Sequence, residues 1–177
     1  AVGVFRVVLT EDILFEINDV EARKLVLGGD DAETARGKAD HLTDELRSAF
    51  GVEDDSRVLL VKPVGLPDPN DEHLVAAAVA GGAEVIVTDN LSDLPAALLP
   101  DGVRTQDPRS FLHDMVTANP QVASWALADM SLRRRRPPQS ARDILDLLHV
   151  RELAHVDTIS VLDRALTKVA TSHDGAR

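Results

Sequence analysis

Cysteine is absent from the 177 residues, which excludes disulfides, thiolate metal sites and cysteine nucleophiles. Aromatics are nearly as scarce. Four Phe, one Trp and no Tyr leave no base-stacking platform of the RRM or OB kind. No apolar run approaches membrane-spanning length and no leader pattern opens the chain, so a cytoplasmic location without a membrane partner is expected. Positive charge is also short, because 19 Lys+Arg stand against 30 Asp+Glu for a formal net charge of −11. Such an average field repels a polyanion, so a nucleic-acid partner has to be met by a local basic patch or by metal ions bridging to acidic groups. With 44% hydrophobic and 28% charged residues, the chain is globular and long enough to bury a core without a staple.

Periodicity organises the rest. Val4-Phe5-Arg6-Val7-Val8-Leu9 is a β-branched run that reads as a buried strand, and Thr10 stands as the N-cap of a helix whose Ile13, Ile17 and Val20 recur at helical spacing. Gly28-Gly29 breaks that helix. Ala35, Ala39, Leu42, Leu46 and Phe50 mark a second one ending near Gly51, and Arg57-Val58-Leu59-Leu60-Val61 reads as a second strand. The turn-rich Gly65 to Asp71 stretch feeds a small-residue helix from His73 to Ala80, closed by Gly81-Gly82. Ala83 to Thr88 forms the third strand, and a short helix and a weak fourth strand, Gly102 to Thr105, follow. Strands alternating with helices predict an α/β fold with a parallel sheet flanked by helices. From about residue 119 to 177 an all-helical extension is expected, with helices over 122–132, 140–148 (Ser140 and Asp143 as a capping box) and 157–169, which leaves 1–118 as the α/β domain.

Ligands of open parallel sheets bind beyond the carboxyl ends of the strands. Glu11, Asp12 and Glu16 follow the first expected strand, Asp68 and Asp71 the second, and Asp89, Asn90 and Asp93 the third. Carboxylates crowded on one edge raise each other's pKa and destabilise the fold unless a cation stands among them. Oxygen-only ligands suit Mg²⁺ or Mn²⁺, and such ions support phosphodiester cleavage. Each acid has a plainer reading. Asp68 and Asp71 serve equally as helix caps, and Ser92 or Asp93 as the cap of the helix at Leu94-Pro95. Glu16, roughly 60° from Ile13 at ~100° per residue, lies at the edge of the apolar stripe and is either partnered or solvated. His73 has no histidine at i+4 and reads as a structural helix residue, not a ligand or base. Arg133 to Arg136 is a solvated turn or a phosphate contact.

Two segments, Leu66-Pro67-Asp68-Pro69-Asn70-Asp71-Glu72-His73-Leu74-Val75-Ala76-Ala77-Ala78 and Ala83-Glu84-Val85-Ile86-Val87-Thr88-Asp89-Asn90-Leu91-Ser92-Asp93-Leu94-Pro95, resemble the PIN-domain family, specifically the VapC-like toxins of bacterial toxin–antitoxin pairs. Phe5 to Ile17 resembles that family's second strand and the helix after it, and the Arg-Pro-Pro turn resembles the helical extension of a longer subgroup. The resemblance implies a Mg²⁺- or Mn²⁺-dependent endoribonuclease with RNA as substrate and an antitoxin protein as partner. It carries Glu16, Asp71 and Asp93 over as metal-holding acids, with Asn90 beside them positioning water or phosphate, and leaves Asp89 a bystander. The family's first strand, with an Asp-x-Asn-type motif, has no counterpart here, so the expected sheet lacks its first strand between residues 4–9 and 83–88. A complementing N-terminal strand, a second copy in a homo-oligomer, or a rearranged segment is expected in that seam, since unpaired backbone there is costly. The rival readings are a non-catalytic PIN-like interaction module binding an antitoxin-like partner, and a receiver-like phosphate acceptor. The receiver lacks its paired acids after the first strand and its lysine near the last.

Overall fold

Most of the chain is helical because local capping and apolar spacing agree along it. A computed structural model describes residues 5–134, 137–151 and 153–174. Helix α1 (Glu11–Leu27) starts where the Thr10 side chain accepts the Ile13 N–H, and α2 (Ala32–Phe50) where Asp31 accepts that of Thr34 at 2.9 Å. The two helices pack together, burying Leu14 and Ala22 of α1 and the small residues Ala35, Ala39 and Thr43 of α2. A short α3 (Asp55–Val58) precedes the 3-10 turn Pro69–Asp71 and helix α4 (Glu72–Gly81). Gly82 closes α4 in the left-handed conformation at φ 64°, a geometry that side chains disfavour.

Two short strands, β1 (Val85–Val87) and β2 (Arg104–Gln106), form the sheet. Arg104 N–H bonds the Glu84 carbonyl at 2.9 Å and Thr88 N–H bonds the Gln106 carbonyl at 3.0 Å, so the pairing advances in one direction along both strands. The pair is therefore parallel. This is the α/β arrangement expected, a small parallel sheet among helices, followed by helices α5 (Pro108–Ala118), α6 (Pro120–Arg133), α7 (Ala141–Val150) and α8 (Val156–Asp174).

Two expected strands are corrected. Of residues 4–9, Val4 lies outside the described residues, and Phe5 to Leu9 form no strand; Glu53 N–H donates to the Leu9 carbonyl at 2.8 Å. Arg57 to Val61 runs through the end of α3 into turns, with Leu60 N–H on the Arg57 carbonyl and Val61 N–H on that of Val58. A β-branched run becomes a strand only where a neighbour supplies backbone partners. Among the described residues no strand pairs with either segment, and residues 57–61 close local turns instead.

The chain divides into two units, one of Phe5–Ile86 with Asn90–Thr105, the other of Val87–Asp89 with the chain from Gln106 onward. In the first, Leu66, Val75, Ala78, Ile86 and Leu94 form a buried apolar cluster. In the second, Val116, Leu127, Ile144, Leu145 and Leu162 join α5 to α8 around their own core. Ser140 and Asp143 make the reciprocal capping box at the start of α7. Arg133 pairs with Asp129 and Arg134 with Gln139, while Arg135 and Arg136 lie outside the described residues. No described helix is long and apolar enough to cross a membrane.

Candidate active site

Glu72 builds the loop that delivers the acids. Its carboxylate accepts three backbone N–H groups, from Val64 at 2.8 Å, Gly65 at 2.7 Å and Leu66 at 2.8 Å. Those bonds hold its own pKa below the ordinary glutamate value. The loop so fastened leads into Asp68, which accepts the Asn70 N–H at 2.9 Å and caps the 3-10 turn. Asp68 is thus the capping residue here. Asp71, at the N-cap position of α4, makes no side-chain cap bond, which leaves its carboxylate for another purpose.

That carboxylate meets the turn after β1. Asn90 Nδ2 donates to Asp93 Oδ2 at 2.7 Å and approaches Asp71 Oδ2 at 3.4 Å, so one amide bridges the two acids. Ser92 Oγ donates to Asn90 Oδ1 at 3.2 Å and fixes which way the amide faces. Neither Ser92 nor Asp93 caps the following 3-10 turn, whose N-cap is Pro95 without a side-chain bond. Leu94, buried to 1% exposure in the apolar cluster, anchors the chain directly behind Asp93. From α1, Glu16 brings a half-exposed carboxylate whose Oε2 lies 3.3 Å from His73 Nε2, so this edge residue is partnered.

The electrostatics agree with the contacts. Partial burial pushes the Asp71 carboxyl above its ordinary pKa, and the like charges of Asp68, Asp93 and Glu16 push it further the same way. His73 alone among the groups acting on it pulls it back. Glu16, Asp71, Asn90 and Asp93 therefore belong to one neighbourhood in one unit of the chain. Asp89 is exposed and joins no bond of this network.

Divalent-cation chemistry suits this donor set, although no three His, Asp or Glu side chains among the described residues are gathered closely enough to hold an ion as they are placed. Carboxylates that resist ionisation together need positive charge between them. The histidine adds a second sign of it. His73 Nδ1 lies 2.6 Å from the Asn70 carbonyl, which only accepts, so Nδ1 carries the hydrogen. Its Nε2 is buried and has no hydrogen-bond partner; the 3.3 Å approach to Glu16 is close but not aligned as a hydrogen bond. In the neutral ring a buried lone pair facing a carboxylate is a place for a proton or a metal cation.

The sequence reading named Glu16, Asp71, Asn90 and Asp93 but took His73 as a helix residue, and it gave Glu72 no part. The available signal for His73 was its position two residues after Asp71, on the first turn of the same helix. For Glu72 there was none, because its three acceptor bonds go to backbone that no residue type marks.

A family model described as PIN domain matches residues 1–92 of the chain. No match was found among curated proteins or among solved structures.

Proposed function

Because the chain belongs to the PIN-domain family, whose members are generally metal-dependent nucleases, we propose that it carries the acidic site of a Mg²⁺- or Mn²⁺-dependent endoribonuclease of the VapC type. The observation that supports this reading most is the Asp71 carboxylate, free of any capping duty, bridged to Asp93 by Asn90 and crowded by Asp68 and Glu16. Glu16, Asp71 and Asp93 would hold the cation. When bound, it neutralises these acids and lowers the barrier to water attack on a phosphodiester. The residues themselves do the rest. Asp71 and Asp93 set the charge of the site, Asn90 orients water or a phosphate oxygen through its amide, and Ser92 holds that amide in place. No side chain acts as nucleophile.

The partners belong to the same proposal: single-stranded RNA as substrate, a cytoplasmic setting, and an antitoxin protein that masks the site. A complementing strand beside β1, from an N-terminal segment of the same gene or from a second copy, is part of the same proposal; among the described residues β1 pairs with β2. Paired N–H and C=O groups there replace water contacts at a net gain of ~0.5–1.5 kcal/mol each.

The test is cleavage of single-stranded RNA by the chain supplied with a complementing strand, with Mg²⁺ or Mn²⁺ added. Cleavage that stops with EDTA and falls at least ~100-fold in Asp71→Asn and in Asp93→Asn is expected, with the isolated chain weak or inactive. EDTA-insensitive cleavage, or full activity in both variants, refutes the metal-site reading. Complete inactivity combined with tight binding of an antitoxin-like protein identifies the chain as a non-catalytic interaction module.

A further inference from the structure

The Glu16–His73 contact carries an inference that rests on the metal-site reading and deepens it. Nδ1 of His73 is committed as donor to the Asn70 carbonyl, so in the neutral ring Nε2 presents its lone pair, buried and without a hydrogen-bond partner, to Glu16 Oε2 at 3.3 Å. Two acceptors so placed repel unless a proton, which makes the contact an ion pair, or a metal cation lies between them. The separation has a second meaning. Nitrogen and oxygen donors ~2.1 Å from one ion, at angles between tetrahedral and octahedral, stand about 3.0–3.4 Å apart. The Nε2 to Oε2 distance falls inside that range. The hydrogen bond from Nδ1 also matches what metal-bound imidazoles ordinarily have, since a backbone carbonyl on the other ring nitrogen fixes tautomer and orientation. Asn70 and Asp71 share one 3-10 turn, so the bond that orients His73 ties it to the turn that carries the central acid.

We propose that His73 Nε2 is a nitrogen ligand of the divalent cation in this site, alongside Glu16, and that it biases the site towards Mn²⁺ over Mg²⁺. The bias follows from ligand type. Mg²⁺ strongly prefers oxygen and gives up its waters reluctantly, whereas imidazole nitrogen suits the first-row transition ions. An all-carboxylate site would discriminate less between the two.

The experiment uses the full chain loaded with Mn²⁺ alone and reads electron spin-echo modulation. Imidazole ¹⁴N modulation is expected in the wild type. In His73→Gln it should vanish while Mn²⁺ still binds, with Mn²⁺ affinity by calorimetry at least ~10-fold weaker and Mg²⁺ affinity changed less than ~3-fold. Selective broadening of the His73 ring resonances by substoichiometric Mn²⁺ in the wild type gives the same answer without a variant. Mn²⁺ bound without ¹⁴N modulation, or modulation that survives in His73→Gln, overturns the His73 assignment and leaves the carboxylate site standing. Absence of Mn²⁺ binding overturns both, and binding unaffected by Asp71→Asn and Asp93→Asn refutes the acid site independently of His73.

Discussion

Leu94 joins the apolar core to the candidate site, so truncating it tests both. It is 1% exposed, packs with Leu66, Val75, Ala78 and Ile86, and directly follows Asp93. Leu94→Ala removes three carbons at ~0.8 kcal/mol each, about 2.4 kcal/mol of transfer free energy. Incomplete collapse around the hole adds about 1–2 kcal/mol at ~24 cal/mol per Å³ of residual cavity. The expected loss is about 3.4–4.4 kcal/mol, a large share of a typical ~5–15 kcal/mol domain stability. Urea denaturation followed by far-ultraviolet circular dichroism measures the midpoint shift, and amide exchange at Val75 and Ala78 locates the loss in the unit that holds this cluster. Leu91→Ala, at a position 42% exposed on the same turn, is the control and should change stability by less than about 0.5 kcal/mol. If Leu94→Ala costs under about 1 kcal/mol, or no more than the control, the cluster around Leu94 does not carry the stability assigned to it, and the anchoring of the Asn90–Asp93 turn falls with it.

Asp71→Asn should stabilise the metal-free protein at neutral pH. Its raised pKa means that the folded state holds an extra proton between the ordinary value of 3.8 and the raised one, so this group's contribution falls as pH rises through that window and stays lower above it. The difference in stability between variant and wild type should therefore grow across that window and then level off; a flat difference in denaturation series from acid to neutral pH would refute the assignment. Glu72→Ala should abolish exchange protection at the Val64, Gly65 and Leu66 amides. In the wild type that protection holds above the ordinary glutamate value and is lost only as pH falls through the lowered Glu72 pKa, so protection that survives in the variant would show another acceptor holding the loop. A Cβ at Gly81 would stand 2.5 Å and 2.8 Å from the two methyls of Val8, so Gly81→Ala should destabilise by ~1–3 kcal/mol through overpacking. Adding Val8→Ala should reverse that penalty to a gain of up to ~1 kcal/mol from helix propensity, and additive effects in the double-mutant cycle would show that the two residues do not touch.

Most helices and their ends were legible because their signals are local, although α3 and α5 were not read from the sequence. Thr10, Asp31 and the Ser140/Asp143 pair bond backbone within three residues of themselves, and Gly51 and Gly82 take positive φ where the pattern breaks, so neighbouring residues suffice to specify them. The acidic residues were legible for a related reason: Asp71, Asn90 and Asp93 sit in turns whose composition marks them, within segments that resemble a known family. Strands were another matter. Phe5 to Leu9 and Arg57 to Val61 have the same β-branched character as Val85 to Val87, yet only the last is a strand, because β2 lies beside it and supplies the bonds that a single extended segment cannot make for itself. Which acids merely cap was likewise settled by distance in space and not along the chain. Asp68 turned to the Asn70 N–H and left Asp71 to Asn90, Glu72 reached back across the loop to three amides, and His73 found Glu16 on a helix 57 residues earlier in the sequence, in each case because a polar group leaving water takes the partner that tertiary packing brings within reach.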